Sequence, residues 1–117
     1  MNKTTSDRLR GTLDALILKA LAAEPMHGYG VSRWLRTRSA PLRVEEGTLY
    51  PALYRLERQG WIEAEWGVSE LGRRARFYRL TAAGARQLEV EIRTFAEFLA
   101  AVSPILLPEL RGLEAAG

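Results

Sequence analysis

The period of the apolar residues changes at Gly60, and this change constrains the fold more than any other feature of the sequence. Before it, Leu49, Leu53 and Leu56 recur at intervals of four and three, which places them on one face of a helix. After it, residues 61–66 largely alternate between apolar and acidic side chains, which is typical of a half-buried strand. Gly60 is itself a favourable residue for ending a helix. A helix is therefore expected to lead directly into β structure.

The strand that follows Gly60 has an obvious partner further along the chain. Residues 70–73 (Glu-Leu-Gly-Arg) favour a turn, and residues 76–80 (Arg-Phe-Tyr-Arg-Leu) are predicted to form the returning strand. The two strands make a β-hairpin. Trp61 and Trp66 are interpreted as apolar anchors on its buried face or in the core, as is Trp34 of an earlier helix.

Two helices are predicted before the one that ends at Gly60. The first follows Thr12 as N-cap, and residues 24–26 end it. Its apolar residues at helical spacing are Leu13, Leu16, Ile17, Ala20 and Leu21. The second begins near His27, which is interpreted as a local hydrogen-bonding residue, and residues 39–41 stop it. Residues 42–44 (Leu-Arg-Val) are predicted to form a short strand.

Pro51 makes the start of the third helix ambiguous. If Thr48 is the N-cap, the proline falls in the first turn, where an N–H has no intrahelical partner and its loss costs nothing. If the helix begins earlier, at Glu45 or Glu46, we expect a kink at Pro51. The sequence leaves both possibilities open.

The last helix carries an apolar seam that is typical of a helix pair. Thr81 is its predicted cap, and Pro104 and Pro108 are expected to end or bend it. The seam has gaps of 4, 3, 4, 3 and 4, and its members are Leu88, Ile92, Phe95, Leu99, Val102 and Leu106. We expect two copies of the chain to dimerise through this seam.

The order of elements defines the predicted fold. Three helices followed by a two-stranded wing make a mainly α winged helix-turn-helix with a small β-hairpin. Residues 1–80 are predicted to be the DNA-binding domain, and residues 81–117 the dimerisation helix and tail. Charge supports this division, because residues 1–80 hold 14 basic and 9 acidic side chains, whereas residues 81–117 hold 3 and 5.

Composition argues against other classes of protein. There is no cysteine, and His27 is the only histidine, so no metal site or cofactor is expected. The close carboxylate pairs Glu45–Glu46 and Glu63–Glu65 fit solvent exposure, and we expect no catalysis. No apolar stretch is long enough to span a membrane, and the first residues do not resemble a secretion signal, so a cytoplasmic location is expected.

The candidate DNA contacts lie on the third helix and on the wing. In this architecture the third helix enters the major groove, and the leucines that face inward leave hydroxyl and guanidinium groups facing outward. The predicted contacts are Thr48, Tyr50, Tyr54, Arg55, Arg73, Arg74 and Arg76. Alternatives remain open: the tyrosines could pack beneath the wing, Arg58 could pair with Glu57, and Arg76 or Arg79 could pair across the hairpin with Glu63 or Glu65. Arg8 and Arg10 give a weaker signal for phosphate contact.

Four sequence blocks resemble the PadR family of bacterial transcriptional regulators. They are Thr12-Leu13-Asp14-Ala15-Leu16-Ile17-Leu18, His27-Gly28-Tyr29-Gly30, Gly47-Thr48-Leu49-Tyr50-Pro51-Ala52-Leu53-Tyr54-Arg55-Leu56-Glu57 with Gly60-Trp61-Ile62 after it, and Phe77-Tyr78-Arg79-Leu80-Thr81-Ala82-Ala83-Gly84. The resemblance covers about Arg10 to Leu88. One departure is Ala75, where the family often has a basic residue.

The resemblance implies a homodimeric repressor of the short-tailed branch, which binds a pseudo-palindromic operator. It assigns DNA contact to Thr48, Tyr50, Tyr54 and the basic wing. Many members also release DNA when a small aromatic or hydrophobic effector binds. Phe95, Phe98 and Leu99 could line such a pocket, although filling the dimer core is the favoured interpretation. A winged-helix module that binds protein instead of DNA is the alternative function.

Overall fold

The computed structural model describes residues 12–109, which form four helices and three strands in one winged-helix arrangement. The helices are α1 Leu13–Ala23, α2 Gly28–Arg38, α3 Glu46–Arg58 and α4 Ala82–Leu106, and the strands are β1 Met26–His27, β2 Ile62–Val68 and β3 Arg74–Leu80. The chain order is α1-β1-α2-α3-β2-β3-α4. The predicted succession of three helices, a hairpin and a long final helix is confirmed.

The hairpin is the larger part of a three-stranded antiparallel sheet with the order β1-β3-β2. Ile62 lies opposite Leu80 at its base, and Val68 lies opposite Arg74 near its tip. The short strand β1 pairs with the other edge of β3. The prediction of a strand at residues 42–44 is wrong. That edge of β3 is taken by Met26–His27, and Val44 is buried in the core without a partner strand.

The core lies between α1, α2, α3 and the inner face of the sheet. Its largest fully buried side chains are Ile17, Leu18, Leu49, Leu53, Leu56, Ile62 and Val31. Burial of side chains of this size stabilises a fold by about 1.5–3 kcal/mol each, so these helices hold one another in place. Leu88 in the first turns of α4 also packs into this core.

A hydrogen-bond cluster joins the end of α3 to the start of α4. The Thr81 hydroxyl donates to the Gly60 carbonyl at 2.7 Å and accepts from the Gly84 N–H at 3.0 Å. The Thr81 N–H donates to the Trp61 carbonyl at 3.1 Å. Thr81 is thus the N-cap of α4, as predicted, and it fixes α4 against the base of the hairpin.

Pro51 lies inside α3, because Glu45 is the N-cap and the helix begins at Glu46. The second of the two possible starts is therefore the observed one. Since proline has no N–H, the Gly47 carbonyl lacks its usual intrahelical donor. Helical backbone continues on both sides of Pro51 to Arg58.

The three tryptophans do not share one environment. Trp34 and Trp61 are half-buried and pack against the core, as predicted. Trp66 is 58% exposed, so the prediction that it anchors the core or the buried sheet face is wrong. The inward-facing row of β2 runs from Ile62 through Ala64 to Trp66, and the hairpin extends past the end of the core before Trp66 is reached.

Candidate nucleic-acid interface

The outward face of α3 carries the polar side chains that the helical spacing predicts. Tyr50 is 43% and Tyr54 61% exposed, and Arg55 and Arg58 are also exposed, whereas Thr48 is half-buried. The Arg58 guanidinium lies 5.8 Å from the centre of the Tyr54 ring. Tyr54 is therefore not packed beneath the wing. This face offers hydroxyl and guanidinium donors, which suit phosphate oxygens and base edges.

Two of the candidate arginines form ion pairs with neighbouring elements. Arg55 pairs with Asp14 of α1, and Arg76 of β3 pairs with Glu57 of α3 at 2.8 Å. Both arginines keep close to half of their side-chain surface exposed. Exposed pairs of this kind contribute about 0–1 kcal/mol, so another anionic group can displace the carboxylate at little cost. The pairs connect α3 to α1 and to the wing.

Arg79 belongs to the sheet, as the sequence indicated. Its Nε lies 3.2 Å from Glu63 and its Nη1 lies 3.8 Å from Glu65, both on β2. The alternative of a cross-strand pair for Arg76 does not occur, because Arg76 lies on the other face of the hairpin and reaches Glu57.

The two remaining wing arginines are exposed and free to bind a further group. Within residues 12–109, neither Arg73 nor Arg74 has an ion-pair partner closer than 4.0 Å. The Arg74 guanidinium instead lies 4.4 Å from the centre of the Trp66 ring. Arg73 and Arg74 thus retain free donors on the wing.

A groove of about 500 Å³ separates the wing from the helices. Tyr29 and Tyr50 line its helical side, and Trp66 and Arg74 line its wing side. Of the outward-facing side chains of α3, Tyr50 lines it. Aromatic rings interleaved with guanidinium groups are a common lining for surfaces that bind nucleic acid.

The turn of the hairpin is held against α2 by Glu70. Its Oε2 lies 3.4 Å from His27 Nε2, and its Oε1 lies 3.8 Å from Arg33 Nη2. His27 Nδ1 accepts a hydrogen bond from the Gly30 N–H at 3.0 Å, so a neutral ring carries its hydrogen on Nε2, facing Glu70. The predicted local hydrogen-bonding role of His27 is confirmed.

The pKa of Glu70 lies below its usual value. A hydrogen bond from its own backbone N–H has the largest effect, followed by the hydrogen bond from His27. The charged carboxylate is thereby favoured at neutral pH. Sequence reasoning placed Glu70 only in the turn and missed its role, because its partners lie some forty positions earlier and no local pattern points to them.

Beyond its first turns, α4 presents an apolar stripe that the other described residues leave exposed. Leu88 is buried against the core of its own chain, whereas Ile92, Phe95 and Leu99 are 47%, 47% and 42% exposed. Phe98 and Leu106 are also exposed, and Val102 is half-buried. A contiguous apolar surface of this kind is typical of an interface.

Neither a membrane span nor a cluster of metal-binding side chains occurs in the part of the chain that the structure describes. None of the helices there combines the length and the hydropathy that a membrane span requires. Residues 12–109 also contain no group of three or more His, Cys, Asp or Glu side chains arranged to hold a metal ion.

Together these features define a winged helix-turn-helix protein with a basic wing and an additional long helix. The model of the transcriptional regulator PadR-like family matches residues 17–90, and the chain belongs to that family. The resemblance seen in the four sequence blocks is confirmed.

Several relatives match over most of their length. The transcriptional regulator Rv3488 of Mycobacterium tuberculosis is 38% identical over 81 residues, which cover 69% of this chain and 73% of that protein. A transcriptional regulator from Clostridium thermocellum is 28% identical with a TM-score of 0.78, covering 85% of this chain and 97% of its own. A PadR-like transcriptional regulator from Bacillus cereus is 30% identical with a TM-score of 0.74, covering 86% and 97%.

Proposed function

We propose that this protein is a cytoplasmic transcriptional repressor that binds a pseudo-palindromic operator in double-stranded DNA as a homodimer. The observation that carries the proposal is the outward face of α3, where exposed Tyr50, Tyr54 and Arg55 stand beside a wing with free arginines. The relatives named as transcriptional regulators support the same function.

Each candidate residue has a role in this proposal. Thr48, Tyr50 and Tyr54 approach base edges and phosphates from α3 in the major groove, and Arg55 adds a guanidinium. Arg73, Arg74 and Arg76 of the wing lie along the backbone or in the minor groove. Of these, Arg55 and Arg76 exchange the carboxylates of Asp14 and Glu57 for phosphate oxygens.

The apolar stripe of α4 is the proposed dimer interface. Its seam residues are Leu88, Ile92, Phe95, Leu99, Val102 and Leu106, of which Leu88 also serves the core of its own chain. Binding to two adjacent half-sites requires the paired chains to hold their α3 helices about 34 Å apart, which is one turn of DNA. We assign Phe95, Phe98 and Leu99 to the core of the dimer. If an aromatic effector is found to release DNA, these residues would instead be assigned to its binding pocket.

Selection from a random duplex library tests the proposal, since binding alone then identifies the operator sequence. We expect enrichment of a site with two related half-sites about one helical turn apart. Fluorescence anisotropy with the selected duplex should show affinity falling steeply with salt, by about 0.9 in log K per log unit of salt for each phosphate contacted. Failure to enrich any site, or salt-insensitive binding, would contradict the proposal.

Variants separate the α3 surface from general charge effects. Tyr50→Ala with Arg74→Ala should abolish preference for the selected site, whereas Arg79→Ala, which removes a guanidinium paired with Glu63, should leave that preference unchanged.

A second pair of variants tests dimerisation. Phe95→Glu should give a monomer by light scattering, because a charge enters the seam. Glu97→Lys, at an exposed position outside the seam, is the matched control and should remain dimeric.

A further inference from the structure

Trp66 holds an unusual position for the largest apolar side chain of the hairpin. It belongs to the inward-facing row of β2 with buried Ile62 and half-buried Ala64, yet it stands beyond the core. Its indole lines the groove between the wing and the helices, with Tyr50 on the opposite side. Packing in the core therefore does not explain why a tryptophan occupies this position.

The partner of the Trp66 ring is Arg74. The two residues are diagonal neighbours on one face of the hairpin, because Trp66 lies opposite Arg76 and Val68 lies opposite Arg74. The guanidinium carbon is 4.4 Å from the ring centre, which is within the range of a cation–π interaction.

This contact leaves the donors of Arg74 free. Arg76 on the same strand has its guanidinium engaged by Glu57, and Arg38, which lies over Trp34, also donates to the Trp34 carbonyl and the Thr37 hydroxyl. For Arg74, the described residues supply the ring and no acidic partner. A guanidinium held against a ring is restrained in position while its N–H groups remain able to bind an anion.

We propose that Trp66 is a positioning residue for DNA binding: its indole holds the Arg74 guanidinium in the groove, ready for a phosphate of the duplex that α3 binds. The inference rests on the proposed function. Its physical basis is that an arginine already restrained loses less side-chain entropy on contact with phosphate. Trp66 acts through Arg74 and needs no contact with DNA.

A double-mutant cycle on Trp66 and Arg74 tests the proposal, with the selected duplex as probe and anisotropy as readout. Trp66→Leu should weaken binding about two- to fivefold, the range expected for an exposed cation–π pair. Trp66→Phe, which keeps a ring, should retain most of the affinity. In an Arg74→Ala background, Trp66→Leu should have no further effect. Val90→Ala, at an exposed position on α4 outside the wing, is the control and should bind like the parent chain.

The outcomes distinguish the inference from the function on which it rests. If the parent chain binds DNA and Trp66→Leu binds equally well, the positioning role is refuted and the proposed function stands. If Trp66→Leu loses the same factor with and without Arg74, the indole acts on DNA or on folding independently of Arg74, which also refutes it. If the parent chain binds no duplex, both fail. Thermal unfolding of each variant verifies its fold, and Trp66→Thr replaces the leucine variant should that one unfold.

Discussion

The phenol ring of Tyr50 occupies the space that a side chain at residue 28 would need. A Cβ on Gly28 would lie 2.7 Å from both Cε1 and Oη of Tyr50, well inside normal contact distance. The first residue of α2 therefore has to be glycine for α3 to hold its most N-terminal tyrosine in the observed place. Gly28 of α2 and Tyr50 of α3 therefore pack closely against each other at the edge of the groove.

Gly28→Ala should impair DNA binding more than stability. The added methyl group meets the far end of a side chain that can rotate away, so we expect a change of less than about 1 kcal/mol in the free energy of unfolding. The displaced Tyr50 should cost about five- to tenfold in affinity for the selected duplex, equivalent to the loss of one hydrogen bond. Anisotropy titrations and urea unfolding measure the two effects.

Tyr50→Ala provides the background for this prediction. If Gly28→Ala acts by moving Tyr50, it should have no further effect on affinity once that ring is absent. An equal loss in both backgrounds would instead show that the Gly28 backbone itself is required.

For Gly84, in the first turn of α4, we expect the opposite result: substitution should affect mainly the stability of the fold. A Cβ there would overlap the carbonyl oxygen of Trp61 and lie 2.8 Å from Leu80 Cδ1, and a carbonyl in the backbone cannot rotate away. Gly84→Ala should therefore destabilise the fold by about 2–4 kcal/mol. Urea unfolding measures this, with Ala85→Gly as control, for which helix propensity alone predicts a loss of about 1 kcal/mol. A neutral Gly84→Ala would mean that α4 shifts freely on the hairpin.

The two glycines illustrate what the sequence could predict. Both stand in blocks that resemble one family, but the sequence does not say which group each one accommodates. Local patterns located the elements well, since the change of period at Gly60 and the cap at Thr81 depend only on neighbours in the chain. The same local information could not pair β1 with β3, because Met26 and Tyr78 are far apart in sequence.

The candidate site shows the same division between local and distant information. Helical spacing placed Tyr54 and Arg55 outward, and the structure agrees. It could not show that Arg55 reaches Asp14, since that contact depends on how α1 crosses α3. Alternation in β2 likewise gave the inward row that includes Trp66, but the point where the core ends depends on the helices packed against the sheet.

The attachment of the hairpin turn through Glu70 is expected to weaken in acid. Its pKa in the folded chain lies below the ordinary 4.5, so its carboxylate contributes stability above that pH and loses the contribution as pH falls through the folded value. Glu70→Gln should be less stable than the parent at pH 7, and the difference should shrink as pH falls below about 4.5. Urea unfolding at pH values from about 3 to about 7 measures it.

Glu89→Gln is the control for this pH dependence, because Glu89 is exposed on α4 and has no ion-pair partner among residues 12–109. The free energy of unfolding of Glu89→Gln should follow that of the parent chain at every pH. A constant difference between Glu70→Gln and the parent over the whole pH range would show that the carboxylate charge is not what holds the hairpin turn to His27 and Arg33.

Asp14 and DNA are expected to compete for Arg55. If Arg55 must leave Asp14 to bind a phosphate, Asp14→Asn should free the guanidinium and raise affinity about two- to fivefold, since an exposed ion pair is worth at most about 1 kcal/mol. Removing any carboxylate also raises the net charge, so Glu24→Gln, exposed just after the same helix, is the matched control. Arg55→Ala should weaken binding and abolish the gain from Asp14→Asn. Equal gains in affinity from Asp14→Asn and Glu24→Gln would show that only the net charge matters. A loss of affinity on Asp14→Asn would show that the ion pair holds the Arg55 guanidinium in the position required for DNA binding.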